Sequence, residues 1–206
     1  MNKPIFYDSD VLICFLAINR EDILKKLFSK IIIPEPVYHE LINIQKYKSI
    51  IVGLNSLINE NFVEIVELDF PSPEKINFFL IQKGYWTEDK EVGKGESAAM
   101  ALAIQNNGIV ASNSLHDVVD ICEDYGIPII TTSMILAFCL ELNIMSKKQI
   151  SDVWQKIINN TMQKLPKQTF DEYYAELFKK DCIDLLKNYN FKNYYLASKK
   201  REKIKI

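Results

Sequence analysis

The chain has 206 residues, 48% of them hydrophobic, and a formal net charge of −2. That length suits one large domain, or one domain with an appendage, and that composition excludes a disordered chain. No apolar run reaches the roughly 18 residues a membrane span requires, and an N-terminus with one lysine before Asp8 and Asp10 is a poor signal peptide, so a soluble, cytoplasmic protein with no membrane partner is expected.

The elements follow in chain order. Residues 4–7 read as a short buried strand ending at Asp8, and Ser9 or Asp10 is placed to cap the helix that follows. Residues 21–29 carry Ile23, Leu24, Leu27 and Phe28 at helical spacing. Ile31, Ile32 and Ile33 form a β-branched strand stopped by Pro34, and Pro36 suits the first turn of the helix bearing Glu40. A helix is expected over 49–58, a strand over 62–68 and, after Pro71 and Pro73, a helix over 74–83. Residues 87–95 are polar and lead into an alanine-rich helix over 97–105, which Asn106, Asn107 and Gly108 end. Ile109, Val110 and Ala111 form a strand, 118–125 a helix and 127–130 the last strand, with Thr131, Thr132 and Ser133 capping one more helix.

Strands alternating with helices over about 130 residues imply a parallel sheet with helices on both faces. Beyond Lys147 no strand is expected; two helices, over 152–165 and 170–189, are divided by Pro166. The charge divides there too. From Lys147 onward there are 14 basic and 7 acidic residues, and before it 11 basic and 20 acidic. Such asymmetry fits a polyanion partner, or intramolecular docking on the acidic part, or a solvated helical face. The tail residues Lys199, Lys200, Arg201 and Lys203 are the strongest candidates for nucleic-acid contact, because basic charge supplies salt-dependent affinity for phosphate. The aromatics of this region, among them Trp154, Phe170 and Tyr173, either stack on bases or cover the α/β part; Tyr7 and Trp86 carry the same choice between base stacking and core, with Tyr7 read as core. The cysteines Cys14, Cys122, Cys139 and Cys182 are too dispersed for a CxxC pair, and with only His39 and His116 beside them they read as small buried hydrophobes rather than zinc ligands.

Four acids carry the chemistry. Asp8, Glu40, Glu96 and Asp117 each sit where an apolar run joins a loop or helix. In a parallel α/β sheet such joins converge in the crevice at the carboxyl ends of the strands. Converging carboxylates repel, and burying them is costly unless a cation neutralises them; a hard divalent ion with oxygen ligands does so. Taken one at a time, acids at helix starts more often cap the helix or favour its dipole.

The pieces, in their order, resemble the PIN-domain family of metal-dependent nucleases over roughly residues 5–147. The stretch from Asp8 to Ile13 looks like the family's opening Asp-Thr-Asn-Val-Leu-Ile element, and Pro34 to Glu40 looks like Pro-x-x-Val-x-x-Glu. Gly95 to Ala99 looks like Gly-Glu-x-x-Ala, Ser112 to Asp117 like Thr-Arg-Asn/Asp-x-x-Asp, and Gly126 to Thr132 like the closing strand. The resemblance implies a three-layer sandwich around a central parallel sheet for residues 1–147, with 148–206 a basic helical extension. It implies that Asp8, Glu96 and Asp117 hold Mg²⁺ or Mn²⁺, that Glu40 completes a catalytic set of four, and that the activity is endoribonucleolytic hydrolysis of RNA. It further suggests a toxin paired with an antitoxin protein, and a homo-oligomer is compatible with it.

Ser9, Asp10, Asn113 and Ser114 are the supporting positions. The family usually has Asp or Asn where this chain has Ser114, so a carboxylate restored there is expected to strengthen the site; Asn113 is the neighbour able to substitute by position. Asp10 takes the place of a common Asn and either adds a fifth carboxylate or caps a helix, the cap being preferred. Lys94 either steers phosphate or is a solvated loop lysine, and His116 is a weak candidate for a base. Two other readings stand. Ser114 suits a PIN-like scaffold that only binds RNA or protein. Asp8 and Asp10 also look like the Asp-x-Asp opening of a haloacid-dehalogenase-like phosphatase, though no Gly-Asp pair follows.

Overall fold

The computed structural model describes residues 3–69, 71–85, 91–178 and 180–189. Its elements alternate as the sequence implies. β1 (Ile5–Tyr7) is followed by α1 (Ser9–Leu16) and α2 (Asp22–Leu27), and β2 (Ile31–Pro34) by α3 (Glu35–Ile42) and α4 (Lys48–Asn59). β3 (Val63–Val66) leads to α5 (Pro73–Gln82) and α6 (Lys94–Asn106), then β4 (Ile109–Ala111) to α7 (Leu115–Asp124), and β5 (Ile129–Ile130) to α8 (Thr132–Glu141). Three helices follow, α9 (Lys147–Asn160), α10 (Phe170–Glu176) and α11 (Lys180–Asn188).

Among the described residues the five strands make one parallel sheet in the order β3-β2-β1-β4-β5. Phe6 is in register with Ile32 on one side and Val110 on the other, which makes β1 the middle of the sheet. Side chains of a strand alternate between faces. Ile5, Tyr7, Ile109 and Ala111 therefore enter one core, with α1, α2, α4 and α8, while Phe6 and Val110 enter a second core with α5, α6 and α7. The central strands β1 and β4, covered on both faces, are apolar throughout, whereas the edge strand β3 exposes Glu64 and Ile65.

Local signals set the ends of several elements. Thr131 caps α8 by accepting the Met134 N–H, and Asn107 ends α6 in the left-handed region at φ 47°, a conformation asparagine tolerates better than most residues. The region after Lys147 differs from expectation in two ways. α9 begins at Lys147 because Ser146 and Gln149 form a capping box, and the second expected helix divides into α10 and α11.

These helices share the first core rather than standing apart from it. Ile150, Val153, Trp154 and Ile157 lie on one face of α9 and are buried with Phe170, Tyr173 and Leu186 among residues of the sheet and α8. The Trp154 ring centroid is 5.7 Å from that of Phe170 and 5.5 Å from that of Tyr173, and its Nε1 donates to the Lys167 carbonyl at 3.2 Å. Of the two roles open to these aromatics, then, Trp154, Phe170 and Tyr173 take the covering one and offer no face to a base. Tyr7 is likewise buried, edge-on to Phe28. Trp86 and the tail from 190 to 206, including Lys199, Lys200, Arg201 and Lys203, lie outside the described residues. Among the described residues no helix is long and apolar enough to cross a membrane.

Candidate active site

The carboxyl ends of β1 and β4 lie side by side, joined by the Asp8 N–H donating to the Ala111 carbonyl at 2.8 Å. Asp8 is the extended residue between β1 and α1. It occupies the N-cap position of α1, yet its side chain makes no capping bond. It is 1% exposed, and its Oδ1 is buried without a hydrogen-bond partner. A capping role therefore does not explain it.

Glu40 approaches from α3, which Pro36 starts in its first turn. The Ser9 hydroxyl and the Gly95 N–H donate to the Glu40 carboxylate. Gly95 is what permits the approach. A Cβ at position 95 would lie 2.5 Å from Asp8 Oδ1 and 3.0 and 3.2 Å from the two Glu40 oxygens. Both carboxylates thus rest on the surface that a side chain here would fill. The motif contains this glycine, but only the packing reveals its role.

Glu96, in the first turn of α6, folds its carboxylate back over Gly93. Its charge acts on Asp8, Asp10 and Glu40. Asp117 stands in the first turn of α7, its side chain a quarter exposed, with its Oδ1 2.9 Å from His116 Nδ1. His116 itself is 81% exposed. Lys94 is exposed and borders a groove with Glu35, Pro36, His39, Glu40 and Asn43; its charge favours the ionised form of Glu40.

Two supporting positions act otherwise than expected. Asp10 is not the helix cap. It lies inside α1, 8% exposed, and its Oδ2 accepts the Asn113 N–H at 2.8 Å and the Ser114 hydroxyl at 3.1 Å. Asn113 does not stand in for an acid at 114. Its side-chain oxygen accepts the Thr132 N–H at 2.9 Å, and its NH₂ donates to Thr132 Oγ1 at 3.0 Å and faces Cys14 Sγ at 3.6 Å. The side chain is spent clamping the β4–α7 loop to the start of α8. Neither contact was readable in sequence, because Asp10 and Ser114 are 104 residues apart. Across that loop lies an apolar cleft lined in part by Leu115, Met134, Leu165 and Tyr173.

The acids perturb one another. Burial raises the Asp8 carboxyl well above the usual range, and the charges of Asp10, Glu96 and Glu40 push the same way. Burial pushes Asp10 up to about 6, against the hydrogen bonds from Asn113 and Ser114, and Glu96 adds to the rise. Glu40 is raised by burial, with the Ser9 hydroxyl opposing and Glu96 adding. An acid raised in the folded state stabilises the fold fully below its unfolded pKa, and that contribution disappears as pH climbs through the folded value. For Asp10 the window runs from about 4 to about 6. The melting temperature of protein kept in EDTA is expected to fall as pH rises through that window, less steeply for Asp10→Asn. Parallel melting curves for the two proteins would refute this.

The donor set suits a hard divalent ion. Asp8 Oδ1 and Asp10 Oδ1 are buried oxygens without partners. The thiols of Cys14, Cys122 and Cys139 are pushed up to about 12 by burial and do not compete as ligands. Among the described residues no three of His, Cys, Asp or Glu close on one point at ligating distance. Mg²⁺ does not require it, since it keeps several waters and binds through one or two carboxylates; those of Asp8 and Glu40 lie close together, both against Gly95.

The chain resembles several solved structures of low identity. DNA-bound VapBC from Salmonella typhimurium is 18% identical, with 63% of this chain and 98% of that chain covered and a TM-score of 0.46. FitAB bound to a DNA fragment is 15% identical, covering 62% and 94%, with a TM-score of 0.43, and FitAcB from Neisseria gonorrhoeae is 14% identical, covering 62% and 97%, at 0.42. Comparison with curated proteins finds no match. A family model described as a PIN domain matches residues 4–176, which sets aside the haloacid-dehalogenase reading of Asp8 and Asp10 and runs through α10. On that match, and with the acids lying at the carboxyl edge of a parallel sheet, this chain belongs to the PIN-domain family.

Proposed function

We propose that the protein is a Mg²⁺- or Mn²⁺-dependent endoribonuclease that hydrolyses RNA phosphodiester bonds. The observation that carries this reading is Asp8: a fully buried carboxylate at the end of β1, one oxygen without a partner, pressed with Glu40 against Gly95 in a PIN-domain chain. Asp8, Glu96 and Asp117 hold the ion, directly or through water, and Glu40 completes the set. The ion, when bound, supplies charge for the scissile phosphate and lowers the pKa of water.

The chain's own groups do the positioning. Ser9 and the Gly95 N–H fix the Glu40 carboxylate. Asp10 and Asn113 hold the β4–α7 loop, which leads into the first turn of α7 where Asp117 stands. Water attacks phosphorus in line and the bond to the 3′ oxygen breaks, leaving a 5′-phosphate and a 3′-hydroxyl. Lys94, exposed at the mouth of the groove beside Glu40, meets the RNA backbone, as do Lys199, Lys200, Arg201 and Lys203 of the tail. Within the same proposal the protein is the toxin of a toxin–antitoxin pair, acts in the cytoplasm and has an antitoxin as its protein partner.

The test is cleavage of a structured RNA by the purified chain in Mn²⁺, in Mg²⁺ and in EDTA, with end-labelled products analysed for 5′-phosphate. Cleavage in the metals alone is expected. RNA binding without cleavage in any metal would favour a binding scaffold instead, the reading to which Ser114 lends itself.

A further inference from the structure

Asp10 does more than a tether requires. Its Oδ2 already satisfies both donors of the β4–α7 loop, the Asn113 N–H at 2.8 Å and the Ser114 hydroxyl at 3.1 Å. An asparagine oxygen accepts the same two bonds without bringing a charge. Instead a carboxylate sits there, 8% exposed, with its Oδ1 buried and unpartnered two residues from Asp8, whose own Oδ1 is in the same condition. Two like charges buried within Coulombic reach of each other destabilise a fold unless they are neutralised.

We infer that Asp10 is a fifth acid of the cation site, its Oδ2 anchoring the loop and its Oδ1 adding a charge to those of Asp8 and Glu96. The inference rests on the metal-dependent reading above. It also accounts for Ser114. A hydroxyl at 114 donates to Asp10, whereas a carboxylate there would face the Asp10 carboxylate across the same gap. The two positions behave as one exchange: the acid stands on α1 and its hydrogen-bond donor on the loop. The expectation that Ser114→Asp alone strengthens the site therefore changes; a carboxylate at 114 serves only when position 10 is neutral.

The test titrates full-length wild type, Asp8→Asn, Asp10→Asn and the double variant Asp10→Asn/Ser114→Asp with Mn²⁺ by calorimetry, and melts each in EDTA. Asp10→Asn keeps an acceptor for both loop donors, so its EDTA melting temperature is expected at or above that of wild type. Its Mn²⁺ affinity is expected to fall by about tenfold or more, and the double variant to recover most of that loss. Mn²⁺ binding that is lost in Asp8→Asn but unchanged in Asp10→Asn overturns this inference alone and leaves Asp10 a tether. Wild type that binds no Mn²⁺ overturns the metal-dependent reading and this one with it. If Asp10→Asn melts below wild type, the double variant decides: recovered affinity upholds the exchange, and unrecovered affinity overturns it.

Discussion

Asp8→Asn is expected to abolish Mn²⁺-dependent RNA cleavage while the fold survives. Asparagine matches aspartate in size, so the close packing against Gly95 and the Asp8 N–H bond to Ala111 are kept. What disappears is a charge on a carboxylate that is 1% exposed and has no hydrogen-bond partner on Oδ1. A charge contribution of several kcal/mol in the transition state corresponds to a loss of about a thousandfold or more in kcat. The same deletion relieves repulsion from Asp10, Glu96 and Glu40, so the melting temperature in EDTA should be unchanged or raised. Wild-type cleavage by the variant in Mn²⁺ would remove Asp8 from the mechanism, and collapse of the fold would make it a structural residue.

Gly95→Ala carries the second large effect, and here two physical arguments oppose each other. Alanine is favoured over glycine inside a helix by about 1 kcal/mol, and position 95 lies in the first turn of α6. Against that stands a Cβ 2.5 Å from Asp8 Oδ1. A long exposed side chain would swing away from such a contact. Asp8 is almost fully buried and has little room to do so, and Glu40 is held by the Ser9 hydroxyl. The carboxylates must separate. A misplacement near 1 Å at a catalytic centre costs about a hundredfold in rate, and Mn²⁺ affinity should drop with it. Gly93→Ala provides the contrast: its Cβ would meet the end of Glu96, a longer and less buried side chain that can give way, so the loss should be smaller. Equal activities for Gly95→Ala and wild type, within about twofold, would mean that the two acids are not packed on this glycine in solution.

The acids and the parallel sheet were legible in sequence because both depend on local order. Strand, acid and helix recur in a fixed sequence, and a parallel sheet brings the strand ends together whatever the connecting loops contain. That Asp8 and Glu40 lie close together, both against Gly95, accords with that order. Asp10 was not, because a carboxylate two residues into a helix looks the same whether it faces solvent, caps the helix or reaches a loop 104 residues away. Asn113 was misread for the same reason, since its amide is taken by Thr132, a residue of another helix. The helix expected over 152–165 gave no sign of what its Trp154 side covers; that depends on α8, which is apolar nearly all round and needs a neighbour on its outer side.

That arrangement bears on the order in which the fold is completed. A ribosome releases the chain from its N-terminus at roughly 5–20 residues per second. Asp8, Glu40, Glu96 and Asp117 are all synthesised before the helices that close the first core. The loop between β4 and α7 is held by the start of α8, and the outer side of α8 is covered by α9 and α10, with Phe138 meeting Phe178 edge-on at 6.2 Å and Tyr174 reaching Glu141. A nascent chain that stops at Lys147 therefore has every acid and an open apolar wall. The wall behind α8, and with it the backing of the loop between β4 and α7, is closed only when Trp154 and Phe170 are added.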